Sequence, residues 1–183
     1  MNRPQLKHPG YTLEDWKTWD GRWELINGVA YDMTPAPNTV HQELVGSLYF
    51  QIRSSFEAAK RGPGGGECRV FVSPIDVFLS PGQAVQPDLV VVCDPTKIAL
   101  RGIEGAPDLV VEVLSPSTAG KDWSHKRWAY EAARVLEYLI VDPEEQVGEL
   151  LRLDTEGHYQ TAARVEWGAV VALLVGKLSL TLG

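Results

Sequence analysis

The stretch APDLVVEVLSPSTAGKDWSHKRWAY, residues 106–130, decides how the chain is read. Its run DLVVEVL is aliphatic and β-branched at successive positions, the texture of a strand covered on both faces. Glu112 lies inside that run, where a carboxylate is costly unless a partner meets it. Beyond SPST, the spacing predicts a helix from about Lys121 to Arg134, and LEYLIVDP after it is a second continuous apolar run. Strand, helix and strand make a crossover unit. At 100° per residue, Lys126 falls on the same side of the helix as Ala129 and Ala133, small residues that let a helix approach a sheet. Lys126 is therefore expected to point inward and to need an anion, either Asp122 at i−4 or the pair Asp88 and Glu112. The plainer alternative is an exposed Asp122–Lys126 pair, worth only tenths of a kcal/mol.

The sequence PDLVV occurs twice, at 87–91 and 107–111. Asp108 and Glu112 share a face of one strand but stand roughly 13 Å apart at ~3.3 Å per residue. One divalent cation, with ligand oxygens at about 2.0–2.6 Å, cannot bridge them. Asp88 opens the other run. If the two runs pair antiparallel, Asp88 lies beside Glu112, where facing side chains are about 5 Å apart. Taken alone, an Asp after Pro is more often a turn residue.

Working outward, Thr12 with Asp15 three residues on reads as a capped start for the helix LEDWKTW. RWELI and VAYDM flank Asn27-Gly28, the strongest short signal for a two-residue hairpin, and Glu24 lies in its first arm. A long helix is expected from Thr39 to Lys60, with Val40, Leu44, Leu48 and Ile52 at helical spacing and GPGGG (62–66) ending it. CRVFVSPIDVFLS, QPDLVVVCD and PDLVVEVLS read as three strands, mostly antiparallel. VGELLRL and HYQTAARV flank DTEG as a further hairpin. The tail VVALLVGKLSLTL is apolar enough to cap the core or to bury itself in a dimer. One domain over 1–183 is expected: an N-terminal helix and hairpin (1–38), a core (39–143), and a C-terminal hairpin and tail (144–183).

Composition agrees with one sizeable core: 44% of residues are hydrophobic and 22% charged,. The net charge of −7 argues against a protein that coats nucleic acid through clustered Lys and Arg,. It leaves room for a nucleic-acid enzyme, since a cation site is itself rich in carboxylates. Arg53, Lys60, Arg61 and Arg69 form one basic group, read as a solvated face, and Lys121, Lys126 and Arg127 another. No apolar run approaches the ~20 residues of a membrane span, and MNRPQLKHPGY lacks a secretory h-region, so a cytoplasmic protein is expected. Cys68 and Cys93 form no CxxC pair, and reduced thiols are expected. His41 at the start of the long helix could touch substrate, although a lone helical histidine more often packs or faces solvent; His125 reads similarly. Trp16, Trp19 and Trp23 could stack on bases, with core packing the stronger reading. No recognition helix or zinc finger is legible, so any sequence preference would sit in loops such as 62–66 and 94–106.

WELINGVAYDM, QPDLVVVCD, APDLVVEVLSPSTAGKDWSHKRWAY and LEYLIVDP, in that order and over about residues 12–143, resemble the PD-(D/E)XK nuclease superfamily, in particular its Uma-type branch of endonucleases. The resemblance implies an α/β (α+β), restriction endonuclease-like fold: a mixed β-sheet flanked by helices, with an N-terminal helix and hairpin. It implies Asp88 as the metal-binding acid after Pro, Glu112 as the acid on the following strand, and Glu24 as an N-terminal acid. The superfamily lysine would stand at 114, which is Leu114. Lys126, with Asp122 and Tyr130 around it, matches the pattern in which a helical lysine replaces it. Arg134 stands where relatives commonly have Gly.

The implied chemistry is hydrolysis of a DNA phosphodiester with Mg²⁺ or Mn²⁺, held by Asp88, Glu112, the Val113 carbonyl and Glu24, while Lys126 orients water or offsets charge. Asp108, Asp122, Tyr130 and His41 are candidate supporting residues. A homodimer is expected from the resemblance to nucleases that cut both strands. Three alternatives are a non-catalytic descendant that binds nucleic acid or protein, a carboxylate-pair glycosidase, and acids that are purely structural. A central Lys126 and metal dependence would count against the glycosidase.

Overall fold

The computed structural model describes residues 10–59, 68–79, 82–115, 122–174 and 177–183. Near the N-terminus, α1 (Leu13–Trp16) begins at Thr12 with the expected capping box, Thr12 and Asp15 satisfying each other's backbone amides,. The hairpin follows as β1 (Trp23–Ile26) and β2 (Val29–Asp32). Asn27 and Gly28 take φ of 53° and 72°, the left-handed pair that a two-residue turn of this hand needs,. Trp16, Trp19 and Trp23 pack rather than splay: Trp16 meets Phe78 edge-on, Trp19 meets Trp23, and the Trp16 indole donates to the Trp23 carbonyl at 2.7 Å.

The long helix α2 spans Thr39–Ala59 and buries His41, Leu44, Val45, Leu48 and Ile52. Val40, expected in the stripe, is 54% exposed. Strict i,i+4 spacing drifts by about 40° per step, so over three steps the buried stripe passes to His41.

Two sheets follow. The main sheet runs β12-β11-β10-β9-β6-β3, built from β3 (Arg69–Val72), β6 (Leu89–Val92), β9 (Leu109–Val113), β10 (Glu137–Asp142), β11 (Val147–Leu153) and β12 (Tyr159–Glu166). Within it β9 and β10 are parallel, as the crossover requires, and the other neighbours are antiparallel. The second sheet was not expected. It runs β2-β1-β5-β4-β8-β7, adding β4 (Val77–Leu79), β5 (Gln83–Val85), β7 (Ile98–Ala99) and β8 (Gly102–Glu104) to the N-terminal hairpin. The run CRVFVSPIDVFLS splits at Ser73-Pro74, where proline cannot donate to a ladder, and its halves enter different sheets,. The loop at 94–106 is largely the β7–β8 hairpin, preceded by a 3₁₀ turn at Pro95–Lys97. The architecture is thus a mixed α+β fold with few helices.

The main sheet is covered on both faces. Leu109, Val111 and Val113 pack with α2 and with the C-terminal hairpin β13 (Val170–Leu173) and β14 (Leu178–Thr181). The apolar tail therefore caps the core. Val110 and Leu114 pack on the other side with Val77, Val85, Ala129 and Tyr130, from the second sheet and the crossover helix. Glu112 shares the parity of Val110 and Leu114, so its carboxylate enters the seam between the sheets. The helix expected at 121–134 is a π-helical turn, Asp122–Lys126, running into α3 (Arg127–Ala132).

Cys68 and Cys93 are joined in a disulfide, correcting the expectation of reduced thiols. Arg69 pairs with Val92, so the cysteines one step beyond stand opposite each other, a proximity that their spacing in sequence conceals. Lys60, Arg61, the glycine run 62–66 and Lys121 lie outside the described residues. No helix among the described residues is long and apolar enough to cross a membrane.

The end of α3 explains position 134. Arg134 has φ of 68°, its amide bonds to the Glu131 carbonyl, and the Val135 amide reaches back to Tyr130 O, both at 3.0 Å. This is the Schellman arrangement, whose left-handed residue is ordinarily glycine. Arg134→Gly is expected to stabilise the fold by about 0.5–1 kcal/mol through relief of that conformation, offset in part by lost packing of the guanidinium on Gly157,. Urea unfolding should show a higher midpoint at unchanged slope.

Candidate active site

Glu112 is 3% exposed in the centre of the main sheet, and its Oε1 accepts from Lys126 Nζ at 2.7 Å and Tyr130 OH at 2.8 Å. Lys126 and Tyr130 stand one turn apart at i,i+4 and present both donors from one side. Lys126 is 2% exposed, so the inward orientation expected from its spacing holds. Its second partner is Glu24 Oε1 at 3.0 Å. Glu24, on β1 of the second sheet, is wholly buried and also accepts the Gln86 amide at 2.9 Å. One ammonium thus joins an acid from each sheet. Burial first, and then the Glu112 charge, hold the Tyr130 phenol well above its ordinary pKa, so it remains a proton donor,.

Asp88 lies just before β6. Leu89 pairs with Val111, and continuing that register by one step sets Asp88 opposite Glu112, as the antiparallel reading of the two PDLVV runs expects,. Asp88 Oδ2 accepts the Val113 amide at 2.9 Å and lies 3.1 Å from His41 Nε2. Its side chain is 15% exposed against 4% for Glu112, so Asp88 is the acid within reach of solvent. A cleft runs between Asn38 and Val40 at the start of α2, Leu114 and Ser115 after β9, and Asp142 to Glu144 after β10. Leu114 follows Val113 in the chain and Val40 precedes His41, whose amide Asn38 caps, while Asp88, Glu112 and Lys126 are not among the lining residues.

Other candidates fall elsewhere. Asp108 is at the far end of β9, where Oδ2 accepts the Cys93 amide at 2.7 Å and fastens β6 to β9. It is not brought to Glu112. Asp122 begins the π-helical turn, and its side chain lies outside what is described. His125 is exposed, with its ring 5.6 Å from that of Tyr31, the residue paired with Glu24 across the hairpin. Burial first, and then Glu24, raise the Tyr31 phenol. The Glu24–Lys126 link and the Gln86 amide escaped sequence reasoning because they join segments far apart along the chain. The seating of His41 had a signal: moving the helical stripe back from Val45 by four residues gives 41.

As donors, Asp88, Glu112 and the Val113 carbonyl offer the hard oxygens that Mg²⁺ and Mn²⁺ prefer, and they fit such an ion in kind. Among the described residues, no three or more His, Cys, Asp or Glu side chains are gathered as a metal-holding group.

No curated protein matches the chain by sequence. A solved structure described as a putative nuclease belonging to DUF820, from Anabaena variabilis, superposes with a TM-score of 0.71 over 93% of this chain and 94% of that one. At 18% identity that likeness shows a common fold. Residues 11–183 match the model of the family described as "Uma2: Putative restriction endonuclease", and the chain belongs to that family.

Proposed function

We propose that the protein is a Mg²⁺- or Mn²⁺-dependent endonuclease that hydrolyses phosphodiester bonds in DNA. The observation that carries this reading is the buried Lys126 ammonium shared by Glu112 and Glu24, on the sheet position next to Asp88. Ionised, Glu24 and Glu112 bring more negative charge to the seam than Lys126 offsets, and a divalent cation between Glu112 and Asp88 would balance the surplus. Asp88 and Glu112, with the Val113 carbonyl, would hold it, and Glu24 would support Glu112 through Lys126. When bound, such a cation polarises a phosphoryl oxygen and lowers the pKa of a bound water. Lys126 and Tyr130 keep Glu112 oriented. The cleft beside Leu114 and Ser115 would admit the scissile strand, and cutting both strands of a duplex would call for a homodimer.

A second reading, a nuclease-fold module that binds nucleic acid or protein without cleaving, is favoured by one observation: Glu24 and Glu112 both turn to Lys126 and gather with no third ligating side chain among the described residues. The two readings differ in turnover.

Purified protein is expected to nick supercoiled plasmid with Mg²⁺ or Mn²⁺ and not with EDTA. Asp88→Asn keeps an acceptor for Val113 and His41 while removing the charge, and should lower the rate by about 10²-fold or more. Turnover that survives both controls would sink the cation mechanism. No turnover by the wild type together with retained DNA binding would establish the second reading. Lys126→Ala leaves two acids buried without their shared cation and is expected to cost about 3–5 kcal/mol of stability, read from urea unfolding. An unchanged midpoint would contradict the buried pairing.

A further inference from the structure

The buried stripe of α2 descends through Ile52, Leu48, Val45 and Leu44, and the next position in it is His41. Such a position ordinarily takes an aliphatic side chain. The imidazole there is 5% exposed, with Nε2 3.1 Å from Asp88 Oδ2. Its backbone is fixed as well, since Asn38 Oδ1 accepts the His41 amide at 2.9 Å in an N-cap,. The same Oδ2 accepts the Val113 amide at 2.9 Å. Two donors on two elements thus converge on one oxygen of Asp88 and leave Oδ1 outside both bonds.

We infer that His41 is a positioning residue for Asp88: its Nε2–H, with the Val113 amide, pins Oδ2 and makes Oδ1 the oxygen offered to a divalent cation. The inference rests on the cation-dependent reading above and adds which oxygen binds and what holds it. The bond requires the ring proton on Nε2. A carboxylate already held in one rotamer loses less freedom when it binds, and hydrogen-bond partners behind a ligand commonly set a large share of metal affinity. A histidine that merely filled space at the end of the stripe would affect folding without favouring one replacement donor.

The test is Mn²⁺ titration calorimetry on the full chain, comparing wild type, His41→Ala and His41→Gln, each confirmed folded by circular dichroism at the titration temperature. His41→Ala should bind about 10–100-fold more weakly. His41→Gln, whose amide nitrogen reaches about as far as Nε2, should return affinity close to wild type. If His41→Ala does not fold, His41→Asn takes its place, its shorter amide stopping short of Asp88. Equal affinity in wild type and His41→Ala overturns the inference alone, as does a folded His41→Gln no better than His41→Ala. Absence of Mn²⁺ binding by the wild type overturns both this inference and the cation-dependent reading.

Discussion

The arrangement of the molecule turns on Glu112 Oε1 and the two donors that meet it, Lys126 Nζ and Tyr130 OH. A carboxylate in the middle of a doubly covered strand is tolerable only when its charge is answered within hydrogen-bond distance. The crossover helix supplies that answer one turn at a time, which fixes both its rotation and its height over the sheet. With Lys126 placed there, Glu24 of the second sheet has its counter-ion, and the seam between the sheets closes over charged groups as well as apolar ones.

The division between the faces of the main sheet is equally informative. The α2 face is mainly apolar, and the C-terminal hairpin inserts Leu178, Leu180 and Leu182 into it. The opposite face carries Glu112, Lys126 and Tyr130 among aliphatic neighbours. Glu24, Glu112 and Lys126 gather in the seam, where a strand, a helix start and a hairpin arm meet, while His41 on α2 and Glu137, which accepts the Leu174 amide, are buried outside it. Asp88 stands at the end of the ladder: its carbonyl still accepts the Ser73 amide at 2.9 Å, while its carboxylate bonds the Val113 amide on the other side.

What was legible in the sequence was what local chemistry determines. Asn27-Gly28 announces its turn, Thr12 and Asp15 their cap, and the two aliphatic runs around the crossover helix their parallel pairing. The repeated PDLVV allowed Asp88 to be set beside Glu112 because register follows from alternation once the pairing direction is chosen. Illegible features needed long-range partners. Strands β4, β5 and β8 are three residues each, too short to show alternation, and they exist because they pair with one another and with β1. Lys126 pointed inward by its spacing, but nothing local could nominate Glu24, roughly a hundred residues earlier, as its partner. The arginine in the left-handed position after α3 is the reverse case, a local preference overruled by the chain's need to turn back into β10.

The disulfide has a topological effect. Cys68 and Cys93, 25 residues apart, close a covalent ring whose ends lie in the main sheet and whose middle, β4 and β5, lies in the second. Asp88 is a member of that ring, and Asp108 fastens the closing residue Cys93 to the approach of β9. A loop of this length removes about 3–4 kcal/mol of unfolded-state entropy in the chain-entropy description. In the oxidised chain, the segment bearing Asp88 begins its conformational search tethered at both ends, while the helix bearing Lys126 has to find the seam from an open chain.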